Sequence, residues 1–183
     1  MTSRIALAAA AFGTVTAAVT AGVYLNFSAR VMPSLGRMAN SAGIAKMQDF
    51  NRTAVQAPFM ICFFGAALVG GYLIFRVVRG DRSTADVLLA AGGTAYLIGF
   101  LLTIAYNVPL NDKLAALDPN AGSSVQVWRD YLTNWTNANT VRAALSTAAV
   151  GLLIAGVASG LRSGREAVAQ PTQVDEVRSY VAR

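Results

Sequence analysis

The sequence predicts an all-α protein, namely a transmembrane four-helix bundle with extra helical segments in its two long extracytoplasmic connections. The chain of 183 residues is 55% hydrophobic and only 13% charged, whereas an average soluble domain is about 25% charged. Each of its charge-free stretches approaches or exceeds the roughly 20 residues that a helix needs to cross a bilayer. These stretches are Ile5 to Ala29, Ala57 to Phe75, Val87 to Asn111 and Ala143 to Leu161.

These stretches predict one four-span domain over residues 1–162, followed by a polar cytoplasmic tail over residues 163–183 with a helical turn near 175–180. The first apolar run is much longer than the central region of a signal peptide, so we expect it to be retained as a helix. The expected spans lie at about residues 5–29, 57–76, 86–107 and 142–161.

The basic residues predict that both termini are cytoplasmic in a plasma (inner) membrane protein. Arginines are dense beside the ends of the second and fourth spans, as the positive-inside rule requires of cytoplasmic segments. They are Arg76, Arg79, Arg82, Arg162 and Arg165. The basic residues of the two long connections, near 30–56 and 112–142, are spread out and mixed with aspartates. We therefore expect those connections to lie outside.

Composition also excludes several functions. The net charge of +6 comes from residues that flank spans, without the basic and aromatic clusters that bind single strands, so no nucleic-acid partner is expected. The chain has no histidine and one cysteine, Cys62, which disfavours metal, haem and iron–sulfur sites. It has no nucleotide-binding motif and no carboxylate within any of the four charge-free stretches. We expect neither a metal nor a cofactor.

The connection before the fourth span reads SVQVWRDYLTNWTNANTVR and predicts a helix that continues directly into that span. Ser123 or Ser124 suits the N-cap position. One helical face then carries five residues at successive steps of four, three, four and three. They are Trp128, Leu132, Trp135, Asn139 and Arg142.

The first long connection predicts a break and a second helix. Pro33 is expected to break the chain after the first span, and a new helix is expected from about Ser41 into the second span, with a kink at Pro58. Asn51 and Arg52 lie on neighbouring faces of this helix.

The third span ends in the sequence NVPLN, which places two asparagines around a proline. Pro109 is expected to break or kink the helix, and Val108 is expected to be extended. Freed carbonyls in hydrocarbon need donors. Asn107 and Asn111 can supply them, and outside helical geometry they need not share a face.

The predicted topology brings several polar residues together at the outer end of the bundle. Such a ring over an apolar bundle resembles a small-molecule pocket. The alternative is structural, because Trp and Arg favour membrane interfaces and Asn caps or bridges helices. The residues expected to converge are Asn51, Arg52, Asn107, Asn111, Asp112, Trp135, Asn139 and Arg142.

The pattern of these motifs resembles the anthrone oxygenase-like family of small four-span membrane proteins. The stretches that carry the resemblance are VMP at 31–33, MQDFN at 47–51, NVPLND at 107–112 and WTNANTVR at 135–142. The resemblance implies the four-span fold and, from fungal members, oxidation of anthrones to anthraquinones with molecular oxygen and without a metal or flavin. Members commonly carry a histidine where this chain has Thr140.

The missing histidine bears on the expected chemistry. Anthrone oxidation starts with removal of a proton, for which a histidine base suits neutral pH. In this chain a carboxylate, Asp112 or Asp49, would replace it, and Arg142 with the amides would stabilise the oxyanion. The candidate catalytic residues are therefore Asp112 and Arg142. The candidate substrate-binding residues are Asn51, Asn107, Asn111, Trp135 and Asn139.

Three functional hypotheses follow. The first is an oxygenase-like enzyme with a lipophilic aromatic substrate in a closed outer pocket, where Asp112 is buried. The second is a non-enzymatic membrane protein that binds membrane lipid, a copy of itself or another membrane protein, and whose polar ring leaves no cavity. A small transporter is the third, and four spans would require a dimer.

Overall fold

The computed structural model describes residues 2–169, with side chains to residue 167, and shows an all-α protein. Its helices are α1 (Arg4–Asn26), α2 (Met32–Leu35), α3 (Asn40–Ala54), α4 (Ala57–Val78), α5 (Thr84–Leu102), α6 (Val108–Ala115) and α7 (Ser124–Ala169). A first π-turn, Phe27–Val31, joins α1 to α2, and a second π-turn, Thr103–Asn107, joins α5 to α6.

Within the described part of the chain, four helical segments are long and apolar enough to cross a membrane, and the protein is an integral membrane protein. They are Arg4–Leu35, Ala57–Val78, Thr84–Ala115 and Ser124–Ala167. Each packs against two others, in the cyclic order α1, α4, α5 and α7. The four-helix bundle is therefore confirmed. We name its two ends by their turns: the Gly80 end holds the α4–α5 turn, where Gly80 has φ +114°, and the proline end holds Pro33 and Pro109.

Glycines let the helices of the bundle approach closely. A Cβ added at Gly93 would lie 2.8 Å from backbone atoms of Gly70 on the facing helix α4. One added at Gly156 of α7 would lie 2.7 Å from the side chain of Leu89. In lipid such close packing drives association, since burial of apolar surface from water contributes nothing between spans.

Pro33 was expected to break its helix and Pro109 to break or kink its own, and the expectation of a break was wrong at both sites. At each site the chain remains helical and widens by one π-turn, in which Met32 N–H bonds to Phe27 O and Val108 N–H bonds to Thr103 O. A proline ring clashes with the carbonyl four residues earlier, and the wider turn relieves that clash. Val108 is helical, with φ −62° and ψ −50°, rather than extended.

Two other expectations about helix ends need correction. The helix that starts near Ser41 does not continue into the second span, because α3 ends at Ala54 and α4 begins at Ala57. Pro58 therefore lies in the first turn of α4, where its missing N–H has no partner to lose. By contrast, α7 continues unbroken from Ser124 to Ala169, as predicted for its entry into the fourth span. The remainder of the predicted tail, including the turn near 175–180, lies outside the described residues.

Candidate functional site

The centre of the candidate site is one face of α7 at the proline end. Trp135, Asn139 and Arg142 are all buried there, and Arg142 is only 3% exposed. The helical periodicity of four and three places them in one row that faces α1 and α5. Their predicted common face is confirmed.

Asn139 bridges α7 to α1 and to Arg142. Its Nδ2 donates to the carbonyl oxygen of Tyr24 at 2.7 Å and lies 2.7 Å from Oγ of Ser28. Its Oδ1 accepts from Nη2 of Arg142 at 2.7 Å. Tyr24 precedes the first π-turn and Ser28 lies within it, so this turn forms one wall of the site.

Arg142 is a buried cation between two aromatic rings. Its Cζ lies 4.3 Å from the ring centroid of Tyr24 and 5.3 Å from that of Trp135. Nη1 donates to Thr103 Oγ1 at 3.1 Å, and Nε has no partner. No carboxylate among the described residues forms an ion pair with it. Buried charges usually have such a partner, so the site carries an uncompensated positive charge.

The second π-turn and α6 supply the two asparagines of NVPLN. Asn107 Nδ2 donates to Trp135 O at 3.3 Å, while its buried Oδ1 has no partner. Asn111 Oδ1 accepts from Tyr131 OH and Trp135 Nε1, both at 2.8 Å. The two amides thus share a face after all, because the chain stays helical. They bond to α7 rather than to carbonyls freed by Pro109.

Three of the eight residues expected to converge lie at the edge of this cluster or outside it. Asn51 is half-buried, and its Nδ2 has no hydrogen-bond partner. The side chain of Arg52 is 70% exposed and pairs with Asp49 on its own helix at 3.5 Å. Asp112 is exposed, so its expected burial is wrong. The helix carries Asn111 towards α7, and the next residue therefore points about 100° away.

The sequence reasoning missed four residues of the cluster, although three of them lie near the end of a charge-free stretch. The polar side chains of Tyr24 and Ser28 stand four apart before Pro33, and Thr103 precedes Pro109 in the same way. Polar side chains placed shortly before each proline could have indicated that these residues belong to the site. Tyr131 is the fourth, and it stacks between Trp128 and Trp135.

The centre of the cluster is buried and incompletely hydrogen-bonded. Two hollows found in the described part of the chain lie elsewhere: one between the central helices and an open groove of about 450 Å³ on α7 towards Glu166. Residues 2–167 contain no group of three His, Cys, Asp or Glu side chains that could hold a metal. Four buried polar atoms near the proline end lack partners, on Asn51, Asn107, Thr136 and Arg142.

These features define a class: small integral membrane proteins with a buried polar site at one end of a four-helix bundle. The sequence profile of the anthrone oxygenase family matches residues 47–152, more than half of the chain, and the chain belongs to that family. The matched part includes α4, α5, α6 and the cluster residues of α7, and it excludes α1. No curated protein and no solved structure matches the chain.

Proposed function

We propose that the protein oxidises a lipophilic aromatic substrate of the anthrone type with molecular oxygen at the proline end of the bundle. The observation that carries this proposal is the buried guanidinium of Arg142, which has no carboxylate partner among the described residues and lies between aromatic rings and amides. Such a group favours an anion that forms during a reaction.

The chemistry follows from the substrate class. Loss of a proton from the methylene carbon of an anthrone gives a delocalised anion whose charge resides largely on the oxygen of the former ketone group. Arg142 stabilises that oxyanion, and the aromatic rings of Tyr24 and Trp135 contact the planar carbon skeleton. The anion reduces oxygen. One oxygen atom becomes the new carbonyl, and the other leaves as water with the two hydrogens of the methylene group.

The proposed reaction also requires a proton acceptor. Asp112 is the candidate base because it adjoins Asn111, but it is exposed and requires movement of α6 to approach a substrate. Access of a substrate to Arg142 also requires a movement of the surrounding side chains or helices, because Arg142 is buried.

The test uses purified protein in detergent with an anthrone and follows quinone absorbance together with oxygen uptake. We expect Arg142→Ala to lower turnover by about 10²- to 10³-fold, as for loss of an oxyanion donor. Arg129→Ala is the matched control, because Arg129 is an exposed arginine on the same helix. Asp112→Asn tests the base. Unchanged turnover in this variant would remove Asp112 from the mechanism and leave the role of Arg142 intact.

A second function is favoured by the buried cluster: a non-catalytic membrane protein that binds lipid or a partner, in which the polar side chains hold the helices together. Hydrogen bonds donated by Asn107 and Asn139 and accepted by Asn111 tie the helices together without any substrate. Folded protein without anthrone turnover, in which Arg142→Ala alters lipid co-purification, would support this function over the first.

The proposed location is the plasma membrane, with both termini cytoplasmic and the proline end outside. The arginines at the Gly80 end support this orientation by the positive-inside rule. In a Cys62→Ala background, an impermeant maleimide added to intact cells should label Asn120→Cys and leave Thr2→Cys unlabelled. The reverse pattern would contradict the orientation without affecting the proposed chemistry.

A further inference from the structure

We infer that Tyr24 and Ser28 of the first span are positioning residues for Asn139 and Arg142, an inference that rests on the proposed function. The family match starts at residue 47, so α1 lies outside it. The side chains of the matched part alone therefore do not complete the site.

Ser28 and Tyr24 together fix the orientation of the Asn139 amide. An asparagine amide has two N–H donors and one carbonyl acceptor. The Nδ2 group of Asn139 contacts both the Tyr24 carbonyl and Ser28 Oγ at 2.7 Å. With its donor side held against α1, the amide has only one way to face Arg142, which is through Oδ1. Ser28 Oγ also lies 3.0 Å from Thr140 Oγ1 and so contacts two residues of α7.

The ring of Tyr24 fixes the guanidinium itself. Its centroid is 4.3 Å from Arg142 Cζ, closer than that of Trp135 at 5.3 Å. A cation held over an aromatic face gains attraction that grows when water is excluded. Its hydroxyl, by contrast, lies 3.5 Å from Thr103 Oγ1, at the limit of a hydrogen bond. The guanidinium therefore lies over the ring of Tyr24, and this ring contact is the one that the substitutions below test.

The position of the guanidinium matters because one of its N–H donors has no partner among the described residues. Nη1 and Nη2 are bonded to Thr103 and Asn139, while Nε is buried without a partner. A guanidinium held on one edge by the protein presents its remaining donor in a fixed direction. Displacement of a group by 1 Å from its productive geometry can cost about 100-fold in rate.

The first arm of the test measures kcat and KM in detergent for three variants. We expect Tyr24→Leu and Ser28→Ala to lower kcat at least about tenfold while KM changes less than about threefold. Tyr24→Phe keeps the ring and should retain most of kcat. Leu25→Ala, at an exposed position beside Tyr24, is the control. A Tyr24→Phe variant as impaired as Tyr24→Leu, or full kcat in Ser28→Ala, would overturn the assignment.

The second arm does not depend on turnover. Phenylglyoxal modifies accessible arginines, and mass spectrometry of the α7 peptides compares Arg142 with exposed Arg129 as an internal reference. We expect Tyr24→Leu to increase the relative modification of Arg142 at least about fivefold, Ser28→Ala to increase it less, and Tyr24→Phe to leave it unchanged. Equal modification in all variants would overturn the assignment. If the wild-type protein oxidises no anthrone but Tyr24→Leu still increases the modification of Arg142, the proposed function is refuted and the positioning role stands.

Discussion

Replacement of Asn139 by alanine should destabilise the protein strongly, even though it removes only a few atoms. Asn139 is fully buried, and its amide makes three contacts of 2.7 Å, to Tyr24, Ser28 and Arg142. Hydrogen bonds between membrane helices contribute about 0.6 to 2 kcal/mol each, and the one to Arg142 involves a charge. We expect a loss of about 2 to 5 kcal/mol in the free energy of unfolding.

The assay is unfolding by SDS in mixed micelles, followed by circular dichroism, and Asn137→Ala is the control. Asn137 lies on the same helix but is exposed, so its replacement should change the free energy of unfolding by less than about 0.5 kcal/mol. Equal stability of the two variants would show that the Asn139 network contributes nothing to folding. It would refute the stabilising role assigned to the hydrogen bonds of Asn139 between α1 and α7.

Two further predictions concern the rest of the bundle. Gly93→Ala should lower the free energy of unfolding by about 1 to 3 kcal/mol, because its Cβ would meet backbone atoms at 2.8 Å, whereas Gly71→Ala meets no atom within 4 Å and should be neutral in the same SDS titration. At the Gly80 end, Asp86→Asn should cost about 3 to 5 kcal/mol, since its buried carboxylate pairs with Arg76 at 3.2 Å. Asp81→Asn removes a more exposed partner of the same arginine and should cost less than about 1 kcal/mol; similar losses in both variants would contradict this reasoning.

The fold class could be predicted because lipid imposes a simple rule on composition. A charge-free run of about 20 residues has few alternatives to a spanning helix. The helix ends were harder. Pro33, Pro58 and Pro109 all read as break or kink signals, but one lies in the first turn of a helix and two follow a wider turn. Local sequence does not separate these outcomes, since packing of the following residues decides which geometry is favourable.

The site could be predicted in part for a related reason. Periodicity along an unbroken helix correctly placed Trp135, Asn139 and Arg142 on one face. Asp112 was misplaced because sequence proximity to Asn111 says little about direction on a helix. Tyr24 and Ser28 were missed because their role depends on the approach of α1 to α7, a contact that spans more than 110 residues of chain.

The two π-turns have a consequence for how such a site could arise and be lost. Each π-turn amounts to one extra residue in an otherwise regular helix, so the residues before and after it follow two registers that differ by about 100°. In the third span, one register presents Tyr96 and Gly99 to the bundle, and the other presents Asn111 to α7. Deletion of a single residue between Thr103 and Asn107 would leave an apolar spanning helix intact and rotate Asn111 out of reach of Trp135. Membership of the bundle and the contribution of Asn111 to the polar site are thus separable by deletion of one codon.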